Sequence, residues 1–225
     1  FDSGKETLSR TENSQIAIFT HSMAALAALR EAGITFKAAA GFSLGEYTSL
    51  AAAGVVTLTD GVKIVSKRGK LMQHAADTID GGMSAILGLE DAKIEEACAA
   101  VKNGIVRPVN YNCPGQLVIA GEKAALAEAI ENCKAAGARR ALPLAVSGAF
   151  HTPLMAEAAA ELRAFVSDFK FSAPTMDIYS NLDGQVYDCS NLPEHLEQHM
   201  ISPVRWTRQV QNGMAAGLTS ACEIG

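Results

Sequence analysis

The chain has 225 residues, of which 48% are hydrophobic and 19% charged, and its formal net charge at pH 7 is −5. This length and apolar content suffice for one or two domains with a substantial core. The negative charge disfavours a nucleic acid partner, which would need a basic face. No apolar run reaches the length of a membrane span, so no membrane partner is predicted. Five cysteines without a CxxC pair indicate reduced thiols and a cytoplasmic location.

The first predicted elements enclose a serine motif. Apolar periodicity predicts a helix over 14–32, and a short strand-like run over 36–40 is followed by GFSLG at 41–45 and by an apolar run over 47–56. A GxSxG between a strand and a helix is typical of a nucleophile elbow, a sharp turn that exposes the serine hydroxyl. Side chains at Gly41 or Gly45 are expected to collide with neighbouring backbone. Ser43 is therefore a candidate nucleophile, with an ordinary strand-to-helix turn as the alternative.

The next predicted helix, over 59–76, directs one arginine inward. Arg68 lies on the apolar stripe of this helix, and a charged stripe lies opposite. The apolar stripe contains Ile64, Val65, Leu71, Met72 and Ala75, and the charged stripe contains Lys63, Lys67, Lys70 and His74. A buried guanidinium requires an anion or several acceptors, and its fork suits a carboxylate. Either an internal Asp or Glu or a substrate carboxylate would satisfy Arg68.

The middle of the chain has the pattern of a separate unit. Strands are predicted over 82–88, 105–112, 116–121 and 138–146, and helices over 92–102 and 124–136. This βαββαβ order is typical of the ferredoxin-like split unit. We therefore predict an α/β protein with a small ferredoxin-like subdomain at 77–147. It would be inserted into a larger, α/β-hydrolase-like domain with a parallel sheet, which is built from residues 1–76 and 148–225. The site would lie in the cleft between the subdomain and the larger domain.

A serine nucleophile needs a base, and one of the five histidines is well placed for that role. His151 follows the strand predicted to end at 146 across a short turn-prone segment, where a base that reaches towards another loop would lie. His195 and His199 have the i, i+4 spacing of two metal ligands on a helix. They have no third ligand near them and no HExxH motif, so no metal is predicted.

Five separated segments resemble malonyl-CoA:acyl carrier protein transacylases of type II fatty acid synthesis. In chain order they are GFSLGEYTSLAAAGV, VSKRGKLMQ, NYNCPGQLVIAGE, LAVSGAFHTPLM and SPVRW. The resemblance runs from residue 14 to the end of the chain, and the order of the five segments matches. It implies that Ser43 is the acylated nucleophile, that His151 is its base and that Arg68 binds the malonyl carboxylate.

The resemblance also implies four supporting roles. The backbone N–H of Leu44 would donate to the oxyanion, and Phe150 is typical of a malonyl-selective pocket. Asn112 would contact the acyl or pantetheine chain, with capping of the adjacent turn as the alternative. The backbone carbonyl of His199, where most relatives have glutamine, would orient the base.

Two departures from the family pattern stand out. Phe42 replaces the histidine that commonly precedes the nucleophile, which is expected to alter packing or access and leave the chemistry intact. Relatives begin with a strand and a loop whose glutamine completes the oxyanion hole, and they continue past the final Glu-Ile-Gly. We therefore expect the chain to be part of a longer protein, truncated at both ends.

The implied activity is transfer of a malonyl group from malonyl-CoA to the phosphopantetheine thiol of acyl carrier protein through a seryl-acyl intermediate. Malonyl-CoA is a substrate, acyl carrier protein a transient partner, and no metal or redox cofactor is needed; the protein is expected to be a monomer. Two alternatives stay open. One is a serine esterase or thioesterase of the α/β-hydrolase type, which normally has an acidic residue between its serine and histidine. The other is a non-catalytic fragment.

Overall fold

A computed structural model of the protein describes residues 4–146 and 148–225. In chain order its elements are α1 (Lys5–Ser9), α2 (Thr11–Glu31), β1 (Ala38–Ala40), α3 (Leu44–Ala52), α4 (Leu58–Thr78), β2 (Gly81–Leu87), α5 (Asp91–Ala99), β3 (Val106–Cys113), β4 (Gln116–Glu122), α6 (Lys123–Ala135), β5 (Arg140–Pro143), a 3₁₀ turn (Pro153–Met155), α7 (Ala156–Val166), β6 (Asp177–Tyr179), α8 (Leu192–Ile201) and α9 (Trp206–Ala215). Within the described residues, no helix combines the length and the apolar content needed to cross a membrane.

The middle of the chain forms the predicted βαββαβ arrangement. Its four antiparallel strands have the order β3-β4-β2-β5, and α5 and α6 pack against this sheet. Their shared core contains Ile86, Ile94, Leu117, Ile119, Ala129 and Cys133. The last strand is shorter than the predicted 138–146, and α5 ends before the predicted residue 102. The predicted boundary at residue 147 lies outside the described residues.

The remaining segments build a larger α/β unit on a parallel pair of strands. β1 pairs with β6, and helices α2, α3, α4, α7 and α8 enclose a second core. The largest members of this core include Phe19, Leu50, Ile64, Met155, Leu162 and Ile178, each at most 1% exposed. Helix α4 begins at a Thr57 cap, whose hydroxyl accepts the N–H of Asp60 at 3.1 Å. The helix predicted over 14–32 extends further towards the N-terminus, to Thr11.

The parallel register explains why two distant loops meet. Ala40, the last residue of β1, pairs with Tyr179, the last residue of β6. Parallel strands end at the same edge of a sheet, and ligands of α/β proteins bind at that edge. The segments that follow, one containing Ser43 and the other Asn181, are therefore neighbours although 138 positions separate the two residues.

The larger core should be sensitive to loss of a side chain in α7. Leu162 is fully buried, so Leu162→Ala is expected to lower the free energy of unfolding by about 2 to 5 kcal/mol. Leu58→Ala is the control, because Leu58 is 56% exposed and its truncation should cost less than about 0.5 kcal/mol. Urea unfolding followed by circular dichroism measures both. Equal effects at the two positions would contradict the described packing.

Candidate active site

The serine motif forms a tight turn between β1 and α3. Ser43 has φ 50° and ψ −101°, a conformation that costs a non-glycine residue free energy. A Cβ on Gly41 would lie 1.9 Å from the carbonyl carbon of Gly45, so glycine is required at position 41. The expectation for Gly45 was wrong, because a Cβ there would meet no atom within 4 Å. The backbone of Gly45 thus passes close to the Cα of Gly41, whereas the space beside the Gly45 Cα is open.

The predicted base lies beside the predicted nucleophile. His151 Nε2 is 2.9 Å from Ser43 Oγ, and its Nδ1 is 3.0 Å from the carbonyl oxygen of His199. A carbonyl oxygen only accepts, so Nδ1 carries the proton and Nε2 is free to accept from the serine. Burial, reinforced by the positive charge of Arg68, lowers the pKa of His151 to about 4, although backbone contacts oppose this shift. The imidazole is therefore neutral at pH 7 and ready to take a proton.

Arg68 brings a buried cation to the same hydroxyl. It is 1% exposed, and its Nη2 donates to Ser43 Oγ at 2.9 Å. Its Nη1 donates to Gln15 Oε1 at 2.5 Å, and its Cζ lies 4.9 Å from the centre of the Tyr47 ring. No Asp or Glu in residues 4–146 or 148–225 forms a salt bridge with it, and its Nε has no partner there. The inward arginine thus lacks an internal counter-ion, which favours the substrate-carboxylate alternative.

Gln15, which was not predicted as a site residue, binds Arg68. It is 5% exposed and belongs to the buried positions of α2, which are Gln15, Phe19, Ser22 and Leu26. A glutamine on the buried stripe of a helix is a signal that could have been used, since a buried amide needs partners. Its Nε2 donates to Thr11 Oγ1 at 2.8 Å, which leaves its Oε1 for Arg68.

The first turn of α3 presents a backbone donor beside the nucleophile. Leu44 is the first residue of the helix, so its N–H has no intrahelical acceptor. The N–H of Ser43 is already bonded to Asn181 Oδ1 at 2.7 Å. Leu44 therefore offers a backbone N–H at the positive end of the α3 dipole, where an oxyanion next to Ser43 would develop.

Three further residues singled out from the sequence, Asn112, Phe150 and Phe42, differ in their burial and their contacts. The Oδ1 atom of Asn112 is buried without a partner among the described residues, so it caps no turn through that atom. Phe150 is half-buried and packs against the core of the larger unit and against the inner face of the antiparallel sheet. Phe42 is 36% exposed, and its ring centre lies 6.1 Å from that of Trp206, in an edge-to-face arrangement.

A buried polar cluster lies behind the elbow. We call it the elbow cluster; its members are Glu46, Asn181, Tyr187, His195 and His199. From the sequence, the side chains of the two histidines were considered only as a metal pair and His199 otherwise only for its backbone carbonyl, and the other three residues were not predicted. His195 Nε2 lies 2.5 Å from Glu46 Oε1, and His199 Nε2 lies 3.3 Å from Asn181 Oδ1. No group of three or more His, Cys, Asp or Glu within 4–146 and 148–225 could hold a metal ion.

Comparison with known proteins identifies the family. The family model of the acyl transferase domain matches residues 2–225. A malonyl CoA-acyl carrier protein transacylase of Salmonella typhimurium is 43% identical over 223 residues, which cover 98% of this chain and 72% of that protein.

Solved structures agree with the sequence match. An acyl carrier protein S-malonyltransferase from Vibrio cholerae superposes with a TM-score of 0.92 at 41% identity, covering 96% of this chain and 72% of that one. A malonyl-transacylase in complex with a type II polyketide acyl carrier protein superposes with a TM-score of 0.93 at 39% identity, covering 96% and 71%. The chain therefore belongs to the acyl transferase family, among the malonyl CoA-acyl carrier protein transacylases.

Proposed function

We propose that this protein transfers a malonyl group from malonyl-CoA to the thiol of acyl carrier protein, with Ser43 as the acylated residue. The observation that carries the proposal is the contact of two groups, a histidine and an arginine, with the hydroxyl oxygen of Ser43. His151 Nε2 and Arg68 Nη2 each lie 2.9 Å from Ser43 Oγ. A neutral base and an unpaired buried cation beside one hydroxyl suit a nucleophile that receives an acyl group with its own carboxylate.

The reaction proceeds in two halves. His151 takes the proton of Ser43 as Oγ bonds to the thioester carbonyl carbon; the carbon–sulfur bond then breaks, and the CoA thiolate leaves with the proton from His151. In the second half the carrier thiol gives its proton to His151 and attacks the seryl ester, and Ser43 regains the proton as the ester bond breaks. The N–H of Leu44 donates to the oxyanion in both halves.

Arg68 supplies the selectivity for malonyl. Its Nε and Nη2 form one edge of the planar guanidinium, and Gln15 binds the remaining nitrogen, Nη1. A malonyl group on Ser43 carries its carboxylate two bonds from the ester carbonyl carbon, close to that edge. The carboxylate would accept two parallel hydrogen bonds, one of them from the otherwise unpartnered Nε. An acetyl group would leave the buried cation unpaired.

The remaining proposals concern organisation and context. We propose that residues 77–147 form a subdomain with its own core. The acyl and pantetheine chains would pass Asn112 and Phe150 between the two units. The reaction would use no metal or redox cofactor. The separate cores of the two units support the first point, and the buried Oδ1 of Asn112, which has no partner among the described residues, supports the second. We further propose that the protein acts as a cytoplasmic monomer.

Replacement of Arg68 should change which acyl group is accepted. Wild-type protein is expected to gain a malonyl adduct far faster than an acetyl adduct, and Arg68→Ala should lower this ratio about 100-fold, since charge-assisted hydrogen bonds contribute about 1.5 to 3 kcal/mol each. Intact-mass spectrometry with malonyl-CoA and acetyl-CoA measures both rates. Ser43→Ala should gain neither adduct.

The matched control for this experiment is Lys93→Ala, which removes an exposed cation on α5. It should leave the malonyl-to-acetyl ratio unchanged. An unchanged ratio in Arg68→Ala, or adducts that persist in Ser43→Ala, would contradict the proposed function.

The depressed pKa of His151 predicts the pH dependence of nucleophile reactivity. The base works only when neutral. As the pH is lowered, the rate at which Ser43 reacts with an uncharged fluorophosphonate should therefore stay high past 6.5, the ordinary pKa of histidine, and should fall only as the pH approaches 4. Arg68→Ala removes a positive charge that disfavours the imidazolium, so the acid limb should move to higher pH. Labelling rates between pH 4 and 8 test this, and a limb that moves to lower pH would refute the electrostatic assignment.

A further inference from the structure

We infer that Asn181 is a positioning residue that holds the Ser43 elbow in its reactive conformation, and that Glu46 acts through Asn181. The inference rests on the proposed function only in taking Ser43 as the nucleophile. Neither residue touches Ser43 Oγ, so neither is a catalytic residue. Their effect is on the backbone that carries the hydroxyl.

The elbow needs an external restraint because its backbone is strained. A non-glycine residue with a positive φ such as that of Ser43 is strained, and it persists only where its surroundings enforce it. The Asn181 side chain spans this turn with two hydrogen bonds. Its Oδ1 accepts the N–H of Ser43 at 2.7 Å, and its Nδ2 donates to the carbonyl oxygen of Gly41 at 2.6 Å. One amide group thus connects the residues on both sides of Phe42.

The chemistry of these partners permits only one orientation of the amide. The N–H of Ser43 can only donate, and the carbonyl of Gly41 can only accept. A flipped Asn181 side chain would therefore place its NH2 group against the N–H of Ser43 and its oxygen against the oxygen of Gly41. Asn181 is fully buried, and water cannot compensate for a lost bond there. The side chain therefore restrains the turn with a single geometry.

Glu46 determines where the Asn181 backbone lies. Its carboxylate is fully buried, and Oε2 accepts the N–H of Asn181 at 2.7 Å. The other oxygen, Oε1, accepts from Tyr187 Oη at 3.1 Å and lies 2.5 Å from His195 Nε2. The Tyr187 and His195 rings are stacked, with centres 4.2 Å apart. Because both oxygens have partners on other elements, Glu46 joins the first turn of α3 to the loop after β6 and to α8.

The same cluster reaches the base. His199 Nε2 lies 3.3 Å from Asn181 Oδ1, while the carbonyl oxygen of His199 lies 3.0 Å from His151 Nδ1. Burial lowers the pKa of His199 well below its usual value, so the ring is neutral. Because the amide oxygen of Asn181 can only accept, Nε2 of His199 carries the proton in this contact. The nucleophile and the base are therefore both positioned by bonds to residues that contact one another.

The test measures nucleophile reactivity without the natural substrate. An uncharged fluorophosphonate in excess labels Ser43 as the Oγ–phosphorus bond forms, fluoride leaves and the serine proton passes to His151. Asn181→Ala is expected to lower the first-order labelling rate about 100-fold, the loss typical of a displacement of about 1 Å in a reacting group. Binding of malonyl-CoA, measured by calorimetry in a Ser43→Ala background, should change less than about twofold.

Glu46 is tested by a double-mutant cycle. Glu46→Gln should slow labelling about tenfold on its own and should add no further loss in the Asn181→Ala background, because both changes act on one restraint. Multiplication of the two losses in the double variant would show that Glu46 acts by another route and would overturn that part of the inference.

Two comparisons separate positioning from general destabilisation. Asn191→Ala removes an exposed asparagine at the start of α8 and should label at the wild-type rate. The labelling rates of Ser43 are compared at a temperature well below the midpoint of thermal unfolding of each variant. If Asn181→Ala does not fold, Asn181→Asp is used in its place. This variant retains the side-chain volume and the acceptor for the N–H of Ser43, but it places an oxygen against the carbonyl oxygen of Gly41. Its Ser43 should also be labelled slowly. Wild-type rates in whichever Asn181 variant folds would overturn the inference, whereas a wild-type protein that resists labelling would instead refute the role of Ser43.

Discussion

The site depends on the alignment of two short parallel strands. β1 and β6 end in register, so the chain that leaves each strand must turn within a few ångströms of the other. One exit supplies the strained serine, and the other supplies Asn181, whose amide matches the donor and the acceptor that the turn exposes. A change of register by one residue would point Asn181 away from the turn and leave two buried backbone groups without partners.

A second level of organisation is electrostatic. Arg68 and His151 both contact Ser43 Oγ, and their effects reinforce each other. The guanidinium disfavours protonation of the imidazole before reaction, which keeps the base available, and it stabilises negative charge on Oγ as the proton leaves. Burial strengthens both effects, because water is excluded from the charges. Burial lowers the pKa of His151, and the charge of Arg68, the group proposed to bind the acyl carboxylate, lowers it further.

The sequence predicted the residues that motifs and periodicity make visible. Ser43, His151 and Arg68 were predicted as site residues, and the structure places His151 Nε2 and Arg68 Nη2 within hydrogen-bond distance of Ser43 Oγ. The carbonyl oxygen of His199 lies 3.0 Å from His151 Nδ1. Asn181 and Glu46 were missed because their importance arises from contacts between residues at least 135 positions apart. The ferredoxin-like order was predicted from local patterns, whereas β5 is shorter than predicted. Its ladder with β2 covers Arg140–Pro143, and on either side only the single hydrogen bonds from the N–H groups of Arg139 and Leu144 reach β2. Long-range pairing, which decides both cases, leaves little trace in local sequence.

A carbonyl that orients the base suits the acyl carboxylate that Arg68 is proposed to bind. A carboxylate bonded to His151 Nδ1 would lie close to Arg68 and would compete with the acyl carboxylate for the guanidinium. The neutral carbonyl of His199 fixes the same tautomer without adding an anion. Glu46, the buried carboxylate of the elbow cluster, is bonded to Asn181, Tyr187 and His195 instead. Glu46 therefore forms no salt bridge with Arg68, and no other Asp or Glu among the described residues does, which is consistent with the proposed binding of an acyl carboxylate by Arg68.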